Sequence, residues 1–156
     1  MFGKDTNSLA YGLISHRYRM GKNFENLFTI IGIPEYVILH RIAGTDLPDP
    51  PDRVYLADLA ERSGHSVRET SRLVGGLKEQ GLVIWSHDGD GSEGTYVTVT
   101  PQGQDALRRQ EQVLSDYCDR VFRVFGRENI VSLLQQLDRL EDIMDSECGE
   151  VADHDE

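Results

Sequence analysis

A mainly helical α+β fold is predicted for this chain, on three observations. Between Val54 and Thr100 the apolar residues follow the period of helices twice and then the period of strands twice. Apolar stripes of helical period run on either side of that stretch, from about residue 8 to 28 and from 101 to 147. At 156 residues the chain is one domain's worth, long enough to bury a real core, and 1–148 reads as a single domain.

Leu9, Leu13, Ile14 and Met20 mark the first helix, with His16, Arg17, Arg19 and Lys22 clustered toward its end. Those basic groups fit a solvated helix C-terminus, where cations favour the dipole, as well as they fit phosphate contacts. Phe24, Leu27, Phe28, Ile30 and Ile31 then form a dense apolar patch that has to be buried. Pro34 suits the first turn of a second helix carrying Val37, Ile38, Leu39 and Ile42. The connection GTDLPDPPDR, Gly44 to Arg53, is stiff and non-helical because of Pro48, Pro50 and Pro51.

In the next helix Leu56, Leu59 and Ala60 recur at i, i+3 and i+4, and Gly64 suits the positive φ of its end. Ser66 is a good N-cap for a further helix, about Val67 to Gln80. Thr70, Leu73, Val74 and Leu77 share that helix's core face. The opposite face carries Arg68, Ser71, Arg72 and Gly75, with Lys78 toward the flank. Such a face can enter a DNA major groove, where Arg reads guanine edges, Ser serves either hydrogen-bonding role and Lys neutralises phosphate. A plain solvated helix face has the same mixed composition.

Gly81 and Leu82 stop the helix, after which VIWSH and TYVTVT alternate as strands around a glycine-rich connection. Helix, turn, helix, hairpin in that order is a winged helix-turn-helix, spanning about residues 34–100 with the helix before it. Thr100 and Pro101 then read as N-cap and first turn of a long helix with Leu107, Leu114, Tyr117, Cys118, Val121, Phe122 and Phe125 on one stripe. Gly126 stops it, and a last helix repeats the pattern with Ile130, Leu133, Leu134, Leu137, Leu140 and Met144. Two long amphipathic helices outside a small winged helix need a partner over their apolar faces, and a second copy is the economical one.

LADLAERSG, SVRETSRLVGGLKEQGLV and TYVTVTPQGQDAL together resemble the MarR family of bacterial transcription regulators, and the resemblance covers about Leu9 to Met144. It is carried by Leu59 and Ala60, the Gly64 turn, Ser71-Arg72-Leu73, the Gly81-Leu82-Val83 exit, and Val97 with Val99-Thr100. The resemblance implies a dimer built by the terminal helices, a recognition helix in the DNA major groove, and a small-molecule pocket between dimer region and winged helix. Two features depart from the pattern. Gly91 and Glu93 stand where the family carries an Asp and an Arg at the wing tip, and with Asp88 and Asp90 beside them the tip has no cation. The Gly44 to Arg53 connection is also longer than the family's usual link.

The net charge of −11 opposes DNA binding, but Glu141 to Glu156 holds eight acidic residues and no Lys or Arg. Most of the imbalance therefore sits in a C-terminal stretch, of which 149–156 reads as a disordered, solubilising tail. No apolar run is long enough to span a membrane, no signal-peptide pattern opens the chain, and two cysteines fit a reducing compartment, so a cytoplasmic protein is expected.

Other motifs carry less. Asp88 to Gly94 resembles a calcium loop, but Glu93 and Val99 stand where an EF-hand needs Gly and Glu, and no His or Cys spacing supports zinc. Cys118 lies on an apolar stripe and Cys148 among acids, so neither suits a redox sensor. Trp85 and Tyr96 face each other across the wing only if the register allows, and packing under the hairpin is their default role.

The expectation is a homodimeric, DNA-binding transcription regulator, a repressor responsive to a small ligand, with no cofactor and no enzyme activity. Arg68, Ser71 and Arg72 are its base-reading or groove-lining candidates, and Ser66 and Lys78 its backbone-phosphate candidates. The alternative, motivated by the acidic wing, is a winged-helix protein-interaction or DNA-mimic module.

Overall fold

The structure is a computed structural model that describes residues 3–44, 47–49, 53–88 and 94–154, with side chains through residue 148. The chain divides into two compact units, Met1–Val113 and Leu114–Glu156. In order the elements are α1 (Thr6–Glu25), α2 (Ile33–Ala43), β1 (Val54–Tyr55), α3 (Leu56–Ser63), α4 (Val67–Glu79), β2 (Val83–His87), β3 (Thr95–Val99), α5 (Pro101–Phe125) and α6 (Arg127–His154).

The first unit has one core. Ile38, Leu39 and Ile42 of α2, Leu59 of α3, Val74 and Leu77 of α4, Val83 and Val97 of the sheet, and Leu107 of α5 pack together. The apolar face of α4 is the one its period predicts, with Thr70 also buried because its hydroxyl donates to Ser66 O at 2.9 Å. Gly64 takes φ +69° at the end of α3, and the Ser66 side chain accepts from Glu69 N at 3.1 Å to open α4. Locally encoded signals therefore set the angle at which α4 leaves the core.

The sheet has three strands in the order β1-β3-β2, all antiparallel. The hairpin β2–β3 follows from its alternation, whereas β1 is only two residues long and carries no period of its own. Trp85 lies opposite Val97, and Ser86 opposite Tyr96, so Trp85 and Tyr96 point to opposite faces of the hairpin. Trp85 goes to the core side, and Tyr96 meets Tyr55 of β1 at 6.0 Å between ring centres.

The helix exit and the next helix entry are built against each other. Gly81 takes φ +78°, its carbonyl accepts from Thr100 Oγ1 at 2.7 Å, and Thr100 Oγ1 in turn accepts from Gly103 N at 3.0 Å. One threonine thus caps α5 and ties it to the end of α4.

Before α2 the apolar patch of residues 24–31 is held by a residue far along the chain. Gln110 of α5 is fully buried; its Oε1 accepts from Ile30 N at 3.1 Å and Ile31 N at 3.3 Å, and its Nε2 donates to Leu27 O at 2.8 Å. That clamp lets Ile31 enter the core and sets Phe28 edge-on against Tyr36. The first helix lies earlier than the expected 8–28: α1 begins at Thr6, capped by Asp5, and the chain turns after Glu25 with Leu27 N bonded to Phe24 O at 2.8 Å.

In the second unit Gly126 breaks the helix at φ +102°, Asn129 Nδ2 donates to Phe125 O, and Arg127 pairs with Asp119 at 2.7 Å. Among the described residues α6 buries none, and α1 buries Gly12 alone. The reading of 149–156 as a disordered tail is corrected in part, because α6 continues to His154. That stretch holds one glycine and no proline, and an established helix propagates at little cost per residue. Asp155 and Glu156 lie outside the described residues, as do Pro50 and Pro51 of the long connection.

Candidate nucleic-acid interface

Arg68, Ser71, Arg72 and Gly75 stand at i, i+3, i+4 and i+7 of α4, opposite its buried face. Arg68 and Arg72 are exposed and Ser71 is half-buried. A Cβ added at Gly75 would meet nothing within 4 Å, so that glycine leaves a low point on the face rather than a close contact within the fold. Neither arginine forms an ion pair with a described residue. A structural pairing of Arg72 with Glu69 is therefore absent among the described residues, and both guanidinium groups are available to a ligand.

The other two candidates are partly engaged. Ser66 Oγ accepts from Glu69 N, which leaves its hydroxyl proton able to donate. Lys78 is exposed, with Nζ 5.5 Å from the centre of the Trp85 ring, a cation–π contact that orients the ammonium along the start of the wing. Ser66, Arg68, Ser71 and Arg72 lie along the N-terminal half of α4, and Lys78 stands in its last turn.

At the wing, sequence reasoning missed a contact. Asp88, read above as an uncompensated acid, accepts from Arg53 Nη1 at 2.7 Å and from the Tyr55 hydroxyl, while the Arg53 guanidinium lies 4.5 Å from the centre of the Tyr96 ring. The Tyr55 bond first, then Arg53 beside it, hold the Asp88 carboxyl below the usual carboxylate range. For a depressed carboxyl the stabilising tie is present above the ordinary carboxylate range and lost as pH falls through the lowered value. At neutral pH the base of the wing is therefore pinned to β1. The tip positions Asp90, Gly91 and Glu93 lie outside the described residues.

Among the described residues no group of three or more His, Cys, Asp or Glu is placed to hold a metal ion, and no helix is long and apolar enough to cross a membrane. Cys118 is half-buried, and burial followed by the neighbouring Asp119 pushes its thiol up, away from the reactive thiolate.

No protein-family model matches the sequence. A riboflavin kinase from Methanospirillum hungatei is 33% identical over 90 residues, which make up 58% of this chain and 36% of that protein, so the chain spans little more than a third of that relative's length. Among solved structures, the transcriptional repressor CouR bound to a 23-mer DNA duplex matches with a TM-score of 0.73 at 18% identity, over 85% of this chain and 92% of that one. Staphylococcus aureus MarR in complex with salicylate and kanamycin matches with a TM-score of 0.70 at 13% identity, over 89% of this chain and 91% of that one. The likeness establishes the fold.

Proposed function

We propose that this chain, which has the winged-helix fold of MarR-type regulators, is a homodimeric DNA-binding regulator of transcription, a cytoplasmic repressor whose hold on DNA responds to a small molecule. The observation that carries this reading is the outer face of α4, where Arg68, Ser71, Arg72 and Gly75 align with both arginines exposed and unpaired among the described residues. A helix held in the major groove needs a cation that reaches base edges, and an arginine with no internal partner is free to do so. Binding of CouR to a DNA duplex and of MarR to salicylate supports double-stranded DNA and a small effector as partners. The tie between Arg53 and Asp88 favours DNA over the DNA-mimic alternative, because it offsets a wing carboxylate that would otherwise repel phosphate.

Arg72 tests the reading. Arg72→Ala should weaken operator binding by ~1–3 kcal/mol, with specificity relaxed at one position per half-site. Its melting temperature should stay that of the wild type, since Arg72 makes no ion pair with a described residue. Fluorescence anisotropy on an operator selected from random DNA makes the measurement. Full affinity and unchanged sequence preference in the mutant would overturn the assignment of α4.

The dimer rests on α1 and α6. Leu9, Leu13 and Ile14 of α1 and Leu133, Leu134, Ile143 and Met144 of α6 are all exposed in the single chain, an apolar area that a second copy would cover. A two-fold dimer presents two copies of α4 to half-sites ~34–36 Å apart. Light scattering of the wild type at micromolar concentration should give twice the chain mass, and Leu133→Asp with Leu134→Asp should give monomers or insoluble protein. A soluble wild-type monomer contradicts this part of the reading.

A further inference from the structure

We infer that Val67, the first residue of α4, reads a thymine in each half-site by packing its side chain against the C5-methyl group in the DNA major groove. The inference rests on the function proposed above and goes beyond it, because the arginine face by itself predicts only recognition of guanine and phosphate. Val67 is the one large apolar side chain of α4 that the fold leaves exposed, with 54% of its surface open. Val74 and Leu77 are buried, and Leu73 is half-buried. Val67 borders the outer face, with Arg68 next in sequence and Ser71 four residues on. At about 100° per residue, Val67 and Lys78 mark one edge of the arc that runs through Ser71, Gly75 and Arg68 to Arg72.

The turn that carries Val67 is fixed in place. Ser66 Oγ accepts from Glu69 N, and Ser66 O accepts from Thr70 N at 3.0 Å and from the Thr70 hydroxyl at 2.9 Å. Thr70 is fully buried, so this first turn is anchored to the core. A β-branched side chain on a helix has one strongly preferred χ1, so the two methyl groups of Val67 are oriented before any contact forms, and little rotamer freedom is lost in making it. In a helix-turn-helix the first residues of the second helix meet the base edges, and the one apolar group on those edges in the major groove is the thymine methyl. Charge complementarity brings the duplex to that surface, because Arg68, Arg72 and Lys78 are exposed on the same arc. Glu69, the acid of the first turn, is two residues from Val67 and so faces away from it. Gly75 carries no side chain to hold the helix off the bases.

Uracil pairs as thymine does and lacks only the C5-methyl group, so it isolates the contact. In an operator selected from random DNA by the wild-type chain, each thymine of one half-site is replaced in turn by uracil, and affinity is read by fluorescence anisotropy. At one position uracil should weaken wild-type binding about three- to fivefold, the loss expected for one buried methyl group. Val67→Ala should bind the unmodified operator more weakly than the wild type does and be indifferent to uracil at that position, so that the two changes are not additive. Alanine is the better helix former and Val67 is exposed, so Val67→Ala should melt no lower than the wild type. An operator with no thymine common to both half-sites, a uracil scan without a sensitive position, or a uracil penalty of the same size in Val67→Ala overturns the contact and leaves the proposed function standing. A chain that binds no duplex at all overturns the proposed function and the Val67 contact together.

Discussion

Replacing Gln110 with leucine should destabilise the winged-helix unit by about 2–4 kcal/mol, although the two side chains are similar in size and leucine is the better core residue. The amide makes three bonds to backbone, from Ile30 N and Ile31 N to its oxygen and from its nitrogen to Leu27 O. Leucine answers none of them. A buried backbone group left without a partner costs ~1–3 kcal/mol, and Ile31 is buried, while Leu27 and Ile30 retain partial access to water and recover some of the loss. The segment between α1 and α2 would loosen first, because no described backbone group replaces the amide there. Urea denaturation checks the magnitude, and hydrogen exchange checks the place: the amides of Ile30 and Ile31 should lose protection ahead of those in α4. A midpoint within experimental error of the wild type, with both amides still protected, contradicts the clamp.

Gly103→Ala should also destabilise, by about 2–4 kcal/mol, where helix propensity alone gives the opposite sign. Gly103 is in the first turn of α5 and is buried. A Cβ built there lies 2.1 Å from Leu82 O and 2.6 Å from Val99 Cγ1, far inside contact distance. Val99 has a side chain that can turn, but Leu82 O is backbone, and it already accepts from Thr100 N at 3.0 Å. Relief would need α5 to move away from the exit of α4, stretching the Thr100 bonds that join them. The matched control is Gly76→Ala on α4, where a Cβ meets nothing within 4 Å and the fold should gain up to ~1 kcal/mol from reduced backbone entropy in the unfolded chain. Thermal unfolding of the two variants should therefore move in opposite directions. If both rise, the close approach at Gly103 does not hold in solution.

These two positions differ in how much of them could be read in advance. Gly103 follows a threonine N-cap and Pro101 in a helix that the sequence locates, but nothing in its neighbours says that a carbonyl from the preceding turn presses on it. Gln110 offers no signal at all, since glutamine is ordinary on a helix surface and its partners are about 80 residues away. The same holds for Arg53 and Asp88, which look like two exposed charges in two polar connections until β1 pairs with β3 and sets them side by side.

By itself the sequence determined what depends on neighbours within a helical turn or along a strand: the buried face of α4, the Gly64 turn, the Ser66 cap, the hairpin alternation and the Thr100 cap, and through them the outward arc of Arg68, Ser71 and Arg72. Periods and caps act over three or four residues, so they are written locally. Tertiary structure alone decided that Trp85 and Tyr96 take opposite faces, that Asp88 at the base of the wing is held by Arg53 and Tyr55, and that Gln110 anchors the segment before α2. Each of these joins polar or aromatic groups from distant segments, and a side chain's partner across the fold is fixed by register and packing, which no local pattern of residues encodes.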